Sequence, residues 1–434
     1  MSTPSRSQAE IGLSARSRIN GRLMPFLFIL YIIAFLDRVN VGYAALQMTR
    51  DLGFSAEIFG FGSGIFFFGY LLLEIPGSVL VERWSARKWI ARIMITWGVL
   101  AVVMAFVRSA SEFYTIRFLL GAAEAGFFPG IIVYLSHWFR YEDRAKAVAT
   151  FMAAIPVSNL LGSPISGLLL GVNWLGLAGW RWLFIVEGGP AILLGVITLY
   201  YLTDWPREAT WLPDEEKAWI TRELEDEKRA RKAVKHYSMW EALRHRDVLL
   251  LVGAYFFALV GFYGFTFFLP TMLKQASGWS DLRFTMVAII PHLAGLFSMI
   301  LVGRSSDRSG ERRWHCALAM VTGAVGYGLA ILAGGSPWLV VGAFTIIAIG
   351  SEGFMPAFWP IPTGFLTESA AAAAIGLINS SGNMGGFAGP FILGYASTTT
   401  NSFVGGLAVL SVSLVLGAVC VLSVRNHQIG RAHV

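Results

Sequence analysis

Charge is scarce in this 434-residue chain: Asp, Glu, Lys and Arg together make up 14% of it, against roughly 25% in an ordinary soluble protein. So little charge, beside 55% hydrophobic residues, excludes a molecule whose main solvent is water. Cysteine is nearly absent. Cys316 and Cys420 are the two present; both lie in or beside apolar stretches and neither stands at a ligand spacing from a histidine or acid, so no disulfide and no metal centre is expected. The seven histidines show no metal spacing either, and no nucleophile is set near a base, which leaves no case for an enzyme and no implied cofactor. A net charge of +7 raises the question of nucleic acid. The basic residues, however, sit in turns without interleaved exposed aromatics, so nucleic acid is not an expected partner.

What the chain has instead is long apolar runs. A helix crossing a bilayer needs about 20 mostly apolar residues, and such runs lie near 24–46, 57–81, 89–107, 113–138, 145–171 and 180–202, then near 247–270, 282–303, 314–333, 337–361, 371–396 and 402–424. This pattern predicts an all-α membrane protein of twelve transmembrane helices in two six-helix bundles. The expected divisions are a tail over 1–22, a first bundle over 23–202, a linker over 203–246, a second bundle over 247–424 and a tail over 425–434. Within the linker, Asp214 to Lys235 reads as an amphipathic surface helix, either plainly solvated or open to a partner. The run from Met24 to Ala34 is too long for a signal peptide and continues through Asp37 and Arg38, so it should stay as the first helix. Basic residues crowd the N-terminal tail, the turns 83–88, 140–146 and 304–313, and the linker. These alternate connections, and with them both termini, should be cytoplasmic.

The halves read as copies. Glu82-Arg83-Trp84-Ser85-Ala86-Arg87-Lys88 follows the second run of the first half, and Asp307-Arg308-Ser309-Gly310-Glu311-Arg312-Arg313 follows the second run of the second. Each is an acid, a base, spacers and two bases, which is either a matched pair of gating turns or two positive-inside loops. Paired six-helix units can rock about a site at their shared interface, as alternating-access transporters do.

Ionised groups at a helix centre cost about 2.5–3.5 kcal/mol on insertion scales, so intramembrane charges are the first functional candidates. Asp37 and Arg38 lie deep in the first run, side by side and so pointing different ways. Arg117, Gly121 and Glu124 are spaced i, i+4, i+7 on one helix face, with Gly121 removing bulk between the charges. The two acids and two arginines form a net-neutral set. One organic anion makes it negative, and protons on Asp37 or Glu124 restore neutrality, which is the logic of a proton-coupled anion importer. Arginine suits the binding role because its planar fork grips a carboxylate through two parallel hydrogen bonds. The alternative is a static brace of mutually satisfied charges. Tyr70 could offer a hydroxyl to substrate, while Glu74, near Pro76, suits packing or a gate. Asn379 and Asn383, at i and i+4 on a glycine-rich run, suit substrate hydrogen bonds or helix pairing. His292 is ambiguous between proton relay and helix packing, and Glu187 and Glu352 are ambiguous too, read as sited near helix ends or paired with backbone. Pro356-Ala357-Phe358-Trp359-Pro360-Ile361-Pro362 must break helical hydrogen bonding, and such breaks are tolerated where they line a cavity, with Trp359 as an aromatic wall.

Leu36-Asp37-Arg38-Val39-Asn40-Val41-Gly42, Arg117-Phe118-Leu119-Leu120-Gly121 with Glu124 to Gly130, Gly179-Trp180-Arg181-Trp182-Leu183-Phe184, and Asn379 with Gly382-Asn383 resemble the major facilitator superfamily, and within it the anion:cation symporter branch that includes tartrate, phthalate, galactonate and hydroxyphenylacetate permeases. The resemblance covers nearly the whole chain. It implies proton-driven uptake of a small organic carboxylate across a bacterial cytoplasmic membrane by a monomer, with no partner beyond the solute, protons and lipid. Arg38 matches the carboxylate-binding arginine, Asp37 and Glu124 the protonatable acids, and Tyr70 and Asn383 substrate contacts. Two departures stand out: Glu82 replaces the usual aspartate of the first gating turn, and Ile155-Pro156-Val157-Ser158 stands where galactonate-type permeases carry a substrate-binding glutamine. A tartrate-like hydroxy acid or an aromatic acid is therefore the expected cargo, with Arg117 tuning Glu124 and with Glu82, Arg83, Arg87, Asp307, Arg308 and Arg312 as gating residues. An exchanger or facilitator, or a drug or cation exporter, of the same fold is the alternative.

Overall fold

In a lipid setting every backbone polar group must find its partner inside the chain, which leaves an apolar sequence of this kind little choice but helix. The computed structural model describes residues 7–231, 245–334, 336–363 and 368–425, and among these the regular structure is helical. In the first half the helices are α1 (Gln8–Leu52), α2 (Ala56–Arg83), α3 (Ala86–Met104), α4 (Ala110–Glu124), α5 (Phe127–Ser136), α6 (Tyr141–Met152), α7 (Ala154–Leu170) and α8 (Gly179–Tyr201). The linker carries α9 (Asp214–Arg231). The second half holds α10 (Arg246–Ser277), α11 (Asp281–Val287), α12 (Ile289–Ser309), α13 (Arg313–Leu332), α14 (Pro337–Gly353), the single turns α15 (Met355–Phe358) and α16 (Pro360–Thr363), α17 (Glu368–Thr400) and α18 (Val404–Ser423).

Helices that continue across a kink form one rod, which gives twelve rods besides α9, and ten of them are long and apolar enough to cross a membrane. The other two are α3, whose first turns carry Arg87, Lys88 and Arg92, and α17, which is rich in small and polar residues. The expected break in the tenth span is present. After Gly353 the chain makes two short turns, Met355–Phe358 and Pro360–Thr363, with prolines where helical donors would be missing.

Residues 8–22 are helical and run straight into the first span. Ser7 caps α1 with Glu10 in a reciprocal capping box, and Ile11, Ala15 and Ile19 recur on a buried face. That face lies on α9: Ser14 donates to Glu216 at 2.7 Å, and Arg18 pairs with the same carboxylate at 3.2 Å. Arg140 and Arg144 add ion pairs to Glu223 and Glu227 at 3.1 and 3.0 Å. The linker helix is therefore strapped to the first half. The remainder of the expected run to Lys235, and the tail from 426 onward, fall outside the described residues.

The duplication is visible in packing. α2 lies on α4 as α12 lies on α14; α3 lies on α8 as α13 lies on α18; α1 lies on α7 as α10 lies on α17. The halves meet through α1 with α10, α2 with α17, and α7 with α11 and α12. Three hydrogen bonds cross this seam at the end away from the N-terminus: Gln47 donates to Asp281 at 3.1 Å, the Glu57 backbone N–H donates to the Thr398 hydroxyl at 2.9 Å, and Ser163 donates to the Thr285 carbonyl. Small residues let the backbones touch there: a Cβ on Gly60 would stand 2.4 Å from the Pro390 carbonyl oxygen. This end is closed.

Candidate functional site

Asp37 and Arg38, adjacent on α1, do point apart. Asp37 is buried within its own half, where it accepts hydrogen bonds from the Trp97 indole of α3 and from the Asn40 amide at 3.1 Å. Two donors satisfy its charged form. Arg38 turns toward the seam and forms an ion pair with Glu124, the last residue of α4, where the helix breaks before Gly126. The Arg38 side chain keeps 13% exposure against 2% for Glu124, so the guanidinium is the more accessible member of the pair. Its Nε and the second carboxylate oxygen of Glu124 have no hydrogen-bond partner. Aromatic rings surround it, with Phe66 and Tyr70 centred 5.5 and 5.4 Å away, and Tyr31 and Tyr263 are in electrostatic reach. Tyr263 comes from the opposite half, so the arginine is framed by both bundles.

Arg117 occupies a different niche. It is fully buried over Phe66, and its guanidinium donates to the carbonyls of Gly62 and Ser63 on α2 at 3.3 and 3.2 Å. It acts on Asp37 and Glu124 only across space, an arrangement that fits the static brace between α2 and α4. Gly121 lies on the same stripe because the helices almost touch, and a Cβ there would stand 1.8 Å from the Phe66 carbonyl oxygen. Gly121→Ala should therefore overpack the contact and cost about 1–3 kcal/mol. The measurement is thermal unfolding in detergent, where an unchanged midpoint would contradict the packing argument.

Asn379 and Asn383 share a face of α17 as their spacing predicts, and both amides donate to one residue, Glu74 of α2, the second at 3.0 Å. A carboxylate thus already occupies both asparagines. Tyr255 of α10 stacks on Phe358 and meets Trp359 edge-on, with centroids 5.1 and 5.0 Å apart. Trp359, half-buried at the break of the tenth span, belongs to an aromatic wall beside this carboxylate and asparagine cluster.

Of the gating residues, Arg312 reaches Asp307 at 2.6 Å and Ser306 at 3.1 Å, closing the second turn on itself, while Arg308 is exposed. The first turn is held by an acid that sequence reasoning did not single out: Asp204, after α8, receives the Ser85 hydroxyl at 2.7 Å and the Arg87 backbone N–H at 2.8 Å. The side chains of Glu82 and Arg83 lie outside the described residues. His292 and Glu352 face each other in the second half at 3.8 Å, both buried. Asn40, Trp97, Tyr31 and Tyr263 were also missed, because aromatic and amide residues in apolar helices look like packing until a charge is found beside them. The carboxyl count changes as well: Glu74 joins the central cluster, so the two arginines face more acids than the neutral set read from the sequence.

Two like six-rod bundles, closed on each other at one end around buried arginines and acids, have the architecture of alternating-access membrane transporters. The Major Facilitator Superfamily profile matches residues 27–390, and the chain belongs to that family. A relative from Agrobacterium vitis named "Putative tartrate transporter" is 46% identical over 93% of this chain and 90% of its own. Another, the "Quinolone resistance transporter" of Acinetobacter baumannii, is 37% identical over 92% of each chain. Among solved structures, a bacterial homologue of the human lysosomal transporter Spinster, inward-facing and unoccupied, superposes with a TM-score of 0.73 at 19% identity, covering 94% of this chain and 95% of that one. The protein is a multi-pass membrane transporter.

Proposed function

We propose that this transporter imports a small organic carboxylate, tartrate-like or aromatic, together with protons across the bacterial cytoplasmic membrane by alternating access. The observation that carries the reading is Arg38: a guanidinium at the seam, framed by aromatic rings from both halves, with one carboxylate partner and an unpaired Nε. An incoming carboxylate displaces Glu124 and takes the fork of Arg38. Freed in a low-dielectric interior, Glu124 binds a proton, because an unpaired buried charge is costly. Asn379 and Asn383 receive the polar far end of the solute once Glu74 lets go. The relative named for tartrate, a dicarboxylate, supports two anion-accepting points of this kind. Basic residues such as Arg16, Arg22, Arg140 and Arg312 lie at the end opposite the closed one, which supports a cytoplasmic N-terminus.

The test is proton entry into proteoliposomes containing a pH-sensitive dye, as tartrate, sugar acids, phthalate and hydroxybenzoates are added in turn. One acid should drive proton entry, uptake should fall at alkaline external pH, and an uncoupler should abolish accumulation. Labelled acid that exchanges without any proton movement would leave an exchanger or facilitator instead. The quinolone-resistance relative supports a second reading, export of an anionic drug, which the direction of net flux under an imposed gradient separates from import.

A further inference from the structure

Below Asp37, on the side away from the seam, lies an acid that the transport cycle described above does not use. Glu187 sits on α8 with 5% exposure, and neither of its carboxylate oxygens has a hydrogen-bond partner. The Asn40 amide acts on it as a donor without reaching hydrogen-bond geometry; its nitrogen donates to Asp37 at 3.1 Å, and its oxygen is buried and unpaired. A buried carboxylate so weakly held, next to an amide whose oxygen lacks a donor, is a pair one proton would complete, a protonated Glu187 carrying the O–H that the amide oxygen lacks. The amide then joins an ionised Asp37 to a neutral Glu187.

Asp37 is the charged group that acts on Glu187. From α1 it is also faced by the Tyr43 phenol, and α7 carries no charged residue. On α3 the basic residues Arg87, Lys88 and Arg92 lie in the first two turns, before Trp97. Arg181, at the start of α8, is held by the Ala105 carbonyl.

The acid also lies beside a file of polar residues. Asp37, Asn40, Tyr43, Gln47 and Asp51 are spaced three, three, four and four residues apart on α1, which is one helix face. Trp180 and Glu187, seven apart on α8, are on the matching face. At the outer end of the file Trp180 bonds Gln47 through its backbone at 3.2 Å and Asp51 through its indole at 3.0 Å. Asp51 is exposed at the closed end of the molecule.

We propose that Glu187 is a proton-binding site that loads Asp37 from the closed end, along a route separate from the solute cavity. The proposal rests on the proton-coupled reading of the seam and assigns that reading a second proton site. Glu187→Gln should lower substrate-driven proton entry into proteoliposomes by at least about tenfold, leave acid counterflow, which moves no net proton, intact, and leave the affinity for acid unchanged. The difference infrared spectrum, wild type minus variant, should show one protonated-carboxyl component lost with Glu187. Wild-type proton entry in Glu187→Gln, or a difference spectrum without that component, overturns the proposal. Should the variant not fold, Tyr43→Phe interrupts the same file and should slow proton entry with counterflow preserved; unchanged entry in it would also overturn the proposal. If the wild type admits no protons with any acid, the symport reading fails, and the infrared comparison still decides whether Glu187 holds a proton.

Discussion

Arg38→Ala is expected to abolish acid uptake, with a loss of at least about 100-fold, while the protein still inserts and purifies as a monodisperse species. Removing one partner of a buried ion pair leaves the other uncompensated, at about 3–5 kcal/mol, and each 1.4 kcal/mol or so is tenfold in an equilibrium constant. Here the abandoned partner is Glu124, 2% exposed with its second oxygen already unpaired. It has a way out that most buried acids lack, because binding a proton neutralises it. The variant should therefore survive as a protein while failing as a carrier, having lost both the fork that grips the solute and the cation that releases the proton. Arg38→Lys is the informative control. A lysine keeps the charge but offers a point donor instead of a planar fork, so it should keep Glu124 paired and lose most acid affinity. Uptake measured beside thermal unfolding separates these effects. Robust uptake by the alanine variant would remove Arg38 from the solute site.

Much of this architecture is legible in the sequence for one physical reason: lipid removes alternatives. Where backbone must bond to itself, apolar length counts rods, and where charge is expensive, each internal acid or base stands out. Asp37, Arg38, Arg117 and Glu124 are conspicuous on that ground, and helical spacing correctly puts Arg117, Gly121 and Glu124 on one face. Spacing does not say what that face meets. Arg117 acts on Glu124 across space, while its guanidinium bonds the Gly62 and Ser63 carbonyls of α2, and a main-chain acceptor leaves no mark in sequence. Asp37 gives no hint of Trp97, sixty residues away, nor Asn379 of Glu74, at a separation of 305. Residues 8–22 were read as a basic tail because arginines dominate the eye. The quieter Ile11, Ala15 and Ile19 are what dock that stretch as helix against α9.

The Glu74 contact leads to the second large effect. Glu74→Gln should tighten the binding of an anionic solute by roughly tenfold and slow its release. Glu74 holds both asparagine amides across the seam between α2 and α17, so it acts on the proposed solute site twice. It occupies the donors that a solute oxygen would use, and while ionised it repels an anion held at Arg38. Two like charges about 6 Å apart cost roughly 3 kcal/mol at an effective dielectric constant near 20, and half-exposure of Glu74 reduces that toward the 1.4 kcal/mol or so that corresponds to tenfold. Glutamine keeps the shape, loses the charge, and can satisfy one asparagine but competes poorly for both. Equilibrium binding of acid to purified protein should show the gain, and efflux from preloaded vesicles should show the delay, because the carboxylate that helps expel the solute is gone. Weaker binding in Glu74→Gln would mean that Glu74 organises the asparagines for the solute instead of withholding them. Asn379→Ala tells the two apart: if Glu74 is a competitor, removing one of its anchors weakens acid binding in the wild-type background and also in the Glu74→Gln background, whereas an organising Glu74 makes the second substitution silent.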